Sequence, residues 1–330
     1  MKAVHLAGKG KIEIVEFPMP ELKEDQVLVK VTASGVCGSE MGAVRSDSGH
    51  PMNPGHEVTG IIADPNGHPQ WQEGDRVIIF TLQGCGDCAW CRSGRDTFCA
   101  QLKNPSAAHS EYCSSRAHAM VKVPEDISDG MAVLLGGDGL GVPYGASTRA
   151  GVKAGDITCV FGCGPVGLGN VLVHAYLGAF VIAVEPSEAR RKLALKMGAW
   201  KAIDPTACDD LRGTLRALAD GLGPDKCFEC SGRQDTLDTA MDVTRPEGTI
   251  MLIGHGKQSI DPQKLIIKHN HTMMGNWVAH PGWYPGMLQM VRDGLDLGRL
   301  ITAVYPYQEA QKAYDEMLAG TCGKIILKWA

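Results

Sequence analysis

Four cysteines within fifteen residues, Cys85, Cys88, Cys91 and Cys99, carry the sharpest chemical signal in the chain. Their spacing, Cys-x2-Cys-x2-Cys-x7-Cys, lets four thiolates close a tetrahedral site around zinc. The segment that holds them, QGCGDCAWCRSGRDTFCA, is Gly-rich and polar, with little core of its own. Bound metal would therefore supply its folding energy. An iron–sulfur cluster is the rival reading, because Cys-x2-Cys-x2-Cys also opens ferredoxin motifs. The fourth cysteine stands at the wrong spacing for that, and no second cluster motif follows. Two shorter stretches hold further donors: Cys37-Gly38-Ser39-Glu40 and Gly55-His56-Glu57. One cysteine and one histidine do not make a metal site by themselves, since a lone histidine is more often structural.

A third stretch is built for a different ligand. The apolar run Ile157–Phe161 ends in Gly162-Cys163-Gly164-Pro165-Val166-Gly167, and an apolar helical pattern follows. A second apolar run, Phe180–Val184, stops at Glu185. Strand, G-x-G-x-x-G, helix, strand and acid is the dinucleotide-binding order. Gly162 permits the tight turn, Gly164 lets a pyrophosphate approach the backbone, and Gly167 lets the helix pack on the sheet. The helix start then presents free N–H groups to the phosphates. Glu185 lies 18 residues past Gly167, placed to bond the adenosine ribose hydroxyls and repel a 2′-phosphate. We expect NAD, with NADP disfavoured; Arg190 and Arg191 are near enough to soften that repulsion. A flavin, or a mere glycine-rich turn, is the competing reading of the loop.

The elements that must position these residues fall into two kinds. Before about residue 143 the chain alternates short apolar runs with Gly and Pro, as in KAVHLA, KIEIVEF, DQVLVKVTASG, Val58–Ala63 and Asp75–Phe80. That pattern predicts antiparallel strands, with the Cys and His residues on their loops. From about Tyr144 strands alternate with helices. The expected strands are Ile157–Phe161, Phe180–Val184, Lys201–Ile203, Lys226–Glu229, Thr249–Ile253 and Thr272–Trp277. Six strands with crossover helices predict an α/β fold with an open parallel sheet wound on both faces. Expected helices include Ser187–Met197, Thr236–Val243, Met287–Arg292 and Gln308–Leu318, before a closing strand at Lys324–Trp329. We therefore expect 1–143 and 281–330 to form one domain and 144–280 the nucleotide-binding domain.

Bulk properties narrow the function. The chain has 330 residues, 44% hydrophobic and 21% charged, with a net charge of −5. No basic footprint points to nucleic acid. No apolar run is long enough to span a membrane, and the first residues lack the apolar region of a secretory signal. Twelve cysteines then read as metal or catalysis in a reducing, cytoplasmic setting rather than a disulfide scaffold.

Taken together, the Cys37 loop, Gly55-His56-Glu57, the four-cysteine segment, Gly74–Val77 (GDRV), Val152–Asp156 (VKAGD), FGCGPVG and the closing GKIIL resemble the zinc-dependent medium-chain alcohol dehydrogenases, including their polyol, threonine and secondary-alcohol members. The resemblance spans nearly the whole chain. It implies a GroES-like β-rich catalytic domain and a Rossmann domain. It also implies two zinc ions, a structural one at the four cysteines and a catalytic one at Cys37 and His56. The family's third ligand falls just before the cofactor domain, where this chain has no cysteine; the position matches Asp138, which could instead cap a helix. Glu57 matches the nearby carboxylate that can approach the metal, and Glu40 the acid that orients the zinc histidine. Ser39 matches the hydroxyl that passes the proton outward. Gly42 stands where many relatives carry a histidine, so the relay beyond Ser39 is unassigned. Cofactor contacts are implied near Cys230 and Ile253.

The expected activity is hydride transfer between NAD(H) and a secondary alcohol, sugar or polyol, through an alkoxide stabilised by zinc. A zinc-independent reductase of activated double bonds from the same family, and a non-enzymatic zinc and NADH-binding protein, are the alternatives. The expected partner is a small alcohol or carbonyl compound, and the expected assembly a homodimer or homotetramer. His280, Trp277, Trp283 and Tyr284 are read as buried structural aromatics in preference to a lining of the substrate cleft or of a subunit interface. Cys113, Cys208, Cys227 and Cys322 have no role that the sequence argues.

Overall fold

In the computed structural model, which describes residues 1–51, 53–104, 107–263 and 267–329, burial alternates along the third strand. Val27, Val29, Val31 and Ala33 point inward, at most 1% exposed, while Lys30 points out. This period of two turns one face of the strand to a core. The strands in chain order are β1 (Lys2–Gly8), β2 (Lys11–Glu16), β3 (Gln26–Val36), β4 (Glu57–Asp64), β5 (Arg76–Ile79), β6 (Tyr112–Arg116) and β7 (Met120–Lys122). Then come β8 (Ile157–Phe161), β9 (Phe180–Val184), β10 (Lys201–Ile203), β11 (Lys226–Glu229), β12 (Thr249–Leu252) and β13 (Thr272–Gly275), followed by β14 (Ile301–Pro306) and β15 (Lys324–Lys328).

The chain divides into two compact units. One comprises Met1–Gly141, Val278–Ala319 and Lys324–Ala330; the other comprises Val142–Trp277 and Gly320–Gly323. In the first, β1 and β2 form a hairpin, and a seven-stranded sheet runs β14-β15-β3-β4-β5-β7 with β6 also paired to β3. Apart from the parallel β14–β15 pair, its ladders are antiparallel. This is the mainly antiparallel β-rich unit expected of the first part of the chain.

In the second unit all pairings are parallel and the order is β10-β9-β8-β11-β12-β13. The order reverses between β8 and β11, the switch point where open α/β sheets bind ligands. Both faces are covered. Helices Leu211–Ala217 and Gln234–Val243 bring Leu215, Ala240 and Val243 against Cys159, Phe161, Ile182, Val184 and Cys227. On the opposite face, helix Pro165–Tyr176 lays the His174 ring on Phe228, with 4.2 Å between centroids, and His174 Nδ1 lies 3.1 Å from Thr158 Oγ1.

Two helices, Asp129–Gly136 and Asp138–Ala150, fill the segment that leads to the nucleotide unit, and Asp138 opens the second. Ser128 caps the first, its hydroxyl accepting from Met131 N–H, and its apolar turn Ala132–Leu135 is fully buried. Among the described residues, no helix is long and apolar enough to cross a membrane.

Complete burial pushes His174 down to about 3. An ordinary imidazole in the unfolded chain takes up a proton near pH 6.5, which the folded chain refuses until far lower pH. His174 therefore leaves stability intact above pH 6.5 and erodes it as pH falls from there toward 3. His174→Leu should flatten that acid limb relative to the wild type in urea melts between pH 7.5 and 4.5. Parallel pH slopes in the two proteins would contradict this.

Candidate functional site

Strand register assembles the first donor group. Gly35 on β3 faces Glu57 on β4, so Cys37, just past β3, and His56, just before β4, emerge at the same end of the sheet. Asp138 arrives as the first residue of its helix. One donor atom from each of Cys37, His56, Glu57 and Asp138 lies within 4.8 Å of the others, with Cys37 Sγ 3.9 Å from Asp138 Oδ2. Two glycines make the space. A Cβ at Gly137 would run into the Glu57 carboxylate, and one at Gly35 would come within 3.3 Å of Glu57 Oε2.

His56 Nδ1 lies 3.0 Å from the Pro54 carbonyl, which leaves Nε2 as the ring's donor to a metal. Glu40 was expected to orient this ring, and the geometry corrects that. Its Oε1 is 3.9 Å from His56 Nδ1 but 3.2 Å from His109 Nε2, and its Oε2 accepts the Tyr314 hydroxyl at 2.5 Å. The backbone carbonyl is nearer and needs no desolvated charge. Burial opposes ionisation of Glu40, yet His109, His56 and the Tyr314 hydroxyl hold its carboxyl below the usual range.

The group is strongly anionic. Lys324 Nζ lies 2.5 Å from Glu57 Oε1, with side chains only 2% and 0% exposed. Burial works against the ammonium, but Glu57, Cys37 and Asp138 outweigh it and hold Lys324 above the ordinary lysine range. Burial also works against charge on His56, and the Cys37 sulfur, Glu40 and Glu57 raise it well above the imidazole norm. Glu57 Oε2 is buried without a hydrogen-bond partner among the described residues. A buried anionic oxygen left so is costly. A thiolate, an imidazole and carboxylates are donors that suit zinc, so the residues present fit the ion.

The four cysteines form a second group, their sulfurs within 4.8 Å of one another. The short helix Ala89–Arg92 sets Cys88 and Cys91 on adjacent turns, 3.5 Å apart at sulfur. Backbone N–H groups of Cys85, Cys88 and Gln101 donate to sulfur at 3.3–3.4 Å. N–H groups of Asp87 and Cys88 draw Cys85 down to about 6, while burial pushes Cys91 up to about 12. No Cβ fits at Gly84, which would meet the Cys91 sulfur. Arg116 donates to the Gly84 carbonyl and bridges to Gln83 O at 3.2 Å.

The glycine loop sits at the carboxyl end of β8. Gly162 has φ +87°, in the left-handed region, and a Cβ at Gly167 would strike the Gly162 carbonyl. Gly164 caps helix Pro165–Tyr176, with open space where its Cβ would stand and Pro165 and Val166 in the first turn. Glu185 is 5% exposed. Its Oε2 accepts Cys163 N–H at 2.7 Å and its Oε1 accepts Ser187 N–H at 2.9 Å. Arg191 is engaged with Asp204 at 3.0 Å and with two backbone carbonyls; Arg190 donates to Cys322 O at 3.3 Å.

Cys230 and Ile253 stand at the ends of β11 and β12. Burial and the Glu229 charge hold the Cys230 thiol well above its usual range. Glu229, in sequence only the last residue of an expected strand, has a further role in the structure. It is fully buried and gathers Ser231 N–H (2.8 Å), Gly232 N–H (3.0 Å), Thr236 Oγ1 (2.9 Å) and Gln258 Nε2 (3.0 Å). An acid closing an apolar strand was the signal available. Ser39 is exposed on the turn after Cys37. His280 packs on Trp283 at 4.1 Å, and Tyr284 meets Phe80 edge-on at 6.3 Å. Trp277, in the other unit, is 47% exposed.

A nucleotide loop on a parallel sheet, with zinc donors on a β-rich unit, defines a metal-dependent nicotinamide oxidoreductase. Residues 23–125 match the alcohol dehydrogenase GroES-like domain and residues 165–293 the zinc-binding dehydrogenase domain. The chain belongs to the zinc-dependent medium-chain dehydrogenase family. L-threonine 3-dehydrogenases from Shewanella sp. strain MR-7 and Shewanella putrefaciens strain CN-32 are 29% and 28% identical over the full length of both chains. Benzyl alcohol dehydrogenase from Acinetobacter calcoaceticus is 25% identical, with a TM-score of 0.86 over 100% of this chain and 99% of that one. An alcohol dehydrogenase from Thermus sp. ATN1, 24% identical, shares the fold over both whole chains with a TM-score of 0.90.

Gly137→Ala tests the fit around Glu57. The added methyl should displace the carboxylate and cut kcat/KM by roughly tenfold or more, as overpacking at a rigid site does. Unchanged kinetics would show that the space is looser than described.

Proposed function

We propose that the chain is an NAD-dependent dehydrogenase of a secondary alcohol, sugar or polyol that carries two zinc ions. Cys37, His56 and Asp138 hold the catalytic ion, with Glu57 as the alternate carboxylate, and Cys85, Cys88, Cys91 and Cys99 hold the structural one. The convergence of four donors from three separate segments at one end of the β3–β4 ladder carries this reading. Bound there, zinc supplies Lewis acidity that makes an alcohol proton easier to remove.

The chain's own residues do the rest. The Pro54 carbonyl fixes the face that His56 presents. Lys324 anchors one oxygen of Glu57 and leaves the other to the donor group. Ser39, on an exposed turn, passes the proton toward solvent, and the open space at Gly42 leaves water to take it onward. Glu185 locks the glycine loop to the end of β9 and places its negative charge where a 2′-phosphate would sit, which favours NAD over NADP. Arg191, committed to Asp204, does not offset that charge. Glu229 holds the loops after β11 and β12, so the nicotinamide half of the cofactor meets preformed backbone.

An NAD-linked screen should include polyols, sugars and short secondary alcohols. The relatives' names add L-threonine and benzyl alcohol. Cys37→Ala should lower kcat/KM about 1000-fold, roughly 4 kcal/mol of barrier, while NADH binding measured by fluorescence stays within about twofold. Intact turnover in Cys37→Ala would favour a zinc-independent reduction instead. The preference for NAD over NADP should exceed tenfold in kcat/KM, on the order of 1.4 kcal/mol. The reverse preference would overturn the role given to Glu185.

A further inference from the structure

His109 is fully buried and hydrogen-bonds to the segments that carry Cys37 and His56. Its Nε2 lies 3.2 Å from Glu40 Oε1, and Glu40 N–H donates to the Cys37 carbonyl at 3.2 Å. Its Nδ1 lies 2.7 Å from Ser34 Oγ, on the strand that runs into Cys37, and Ser34 Oγ also accepts Trp329 Nε1–H at 2.8 Å. That is the Cys37 side.

On the His56 side the contacts run through the backbone. His109 N–H donates to Asn53 Oδ1 at 3.2 Å, and the Asn53 amide donates back to the His109 carbonyl. Asn53 Oδ1 also accepts Gly55 N–H at 2.9 Å, and Ala108 N–H donates to Gly55 O at 3.2 Å. The imidazole lies so near Gly55 that a Cβ there would stand 2.5 Å from the ring. Pro54, whose carbonyl orients His56, is thus held through both chain neighbours. Tyr314 closes the far side, edge-on to the ring at 6.4 Å with its hydroxyl on Glu40.

We propose that His109 is a positioning residue for the catalytic metal centre: a buried wedge that fixes the Asn53–His56 turn against the Cys37–Glu40 turn and so sets how Cys37 and His56 converge. The proposal rests on the reading of Cys37 and His56 as zinc ligands. Groups that orient metal ligands typically contribute tenfold to hundredfold to metal affinity. A wedge that also holds the backbone of one ligand belongs in that range.

The test reads metal as well as turnover. His109→Ala should lower zinc content from about two to about one per chain, with the four-cysteine ion retained, and speed chelator-driven loss from the catalytic centre by roughly tenfold to hundredfold. The visible absorption of cobalt placed at that centre should shift, while NADH affinity stays within about twofold. His109→Gln can still donate to Glu40 and accept from Ser34, and should restore most of the metal retention. If His109→Ala does not fold, Ser34→Ala removes the bonds to His109 and Trp329 and Tyr314→Phe removes the one to Glu40, both keep the core filled, and each should speed metal loss several-fold. Wild-type release rates and cobalt spectra in these variants would overturn the inference. Zinc content in Cys37→Ala equal to that of the wild type would instead overturn the reading of the centre itself, and the inference with it.

Discussion

Lys324 and Glu57 form an ion pair almost wholly out of water, and the donor group is arranged around it. Desolvating two such charges is expensive, and their mutual attraction often only breaks even. What tips the balance is the company they keep. Cys37 and Asp138 bring two further acidic groups into the same space, so one ammonium faces three acids. Even with His56 counted beside Lys324, acids outnumber the basic side chains of the group, an excess that suits a bound cation. The antiparallel ladders β15–β3 and β3–β4 enforce this meeting, since Ile325 faces Val36 and Gly35 faces Glu57. Lys324, one residue before Ile325, falls beside Cys37 by register alone.

That arrangement demands room and stiffness together. Room comes from Gly35 and Gly137, both pressed against the Glu57 carboxylate. Stiffness comes from a buried polar cluster behind the donors, in which Ser34, Glu40, Asn53, His109, Tyr314 and Trp329 satisfy one another. A fully paired network of this kind rigidifies its surroundings, whereas a half-paired one would be worse than an apolar core. Glu40 illustrates the difference between proximity and function. It lies near His56, but its bonds go to His109 and Tyr314, so it acts on the turn rather than on the ring.

Much of this was legible in the sequence because the signals are local. The parallel strands announced themselves as apolar runs closed by Gly or an acid, and the ends found for β12 and β13 differ from expectation only where Ile253 and Asn276–Trp277 leave the sheet. The four cysteines and the glycine loop also lie within single short segments. Helix Asp129–Gly136 is not marked in the sequence and helix Asp138–Ala150 is hinted at only by Asp138 as a cap, because their glycines and Pro143 contradict helical propensity; burial of Ala132–Leu135 and Leu140 overrides it. The role of His109 was illegible for a different reason. Its partners lie 56, 69 and 75 residues away in sequence, and nothing in the local residues AAHSEY marks it as more than a loop histidine. Contacts at that separation exist only once the strands have paired.

The nucleotide unit uses carboxylates in a contrasting way. The buried carboxylates of Glu185 and Glu229 have no cationic hydrogen-bond partner among the described residues, and each is satisfied chiefly by backbone N–H groups and neutral side chains. A carboxylate accepting several N–H bonds is stabilised without a counter-ion, and it fixes the backbone that donates to it. Glu185 thereby ties the glycine loop to the end of β9, and Glu229 ties the turn after β11 to Gln258 beyond β12. The space left around Gly164 is then set by anchored backbone on both sides, not by flexible side chains. Where a ligand is to be held by main-chain N–H groups and a helix terminus, an anionic staple orders the loop without adding a cation that would compete for the phosphates. In the donor group, by contrast, Glu57 gives one oxygen to Lys324 and leaves the other without a hydrogen-bond partner among the described residues, an opening that suits the proposed cation.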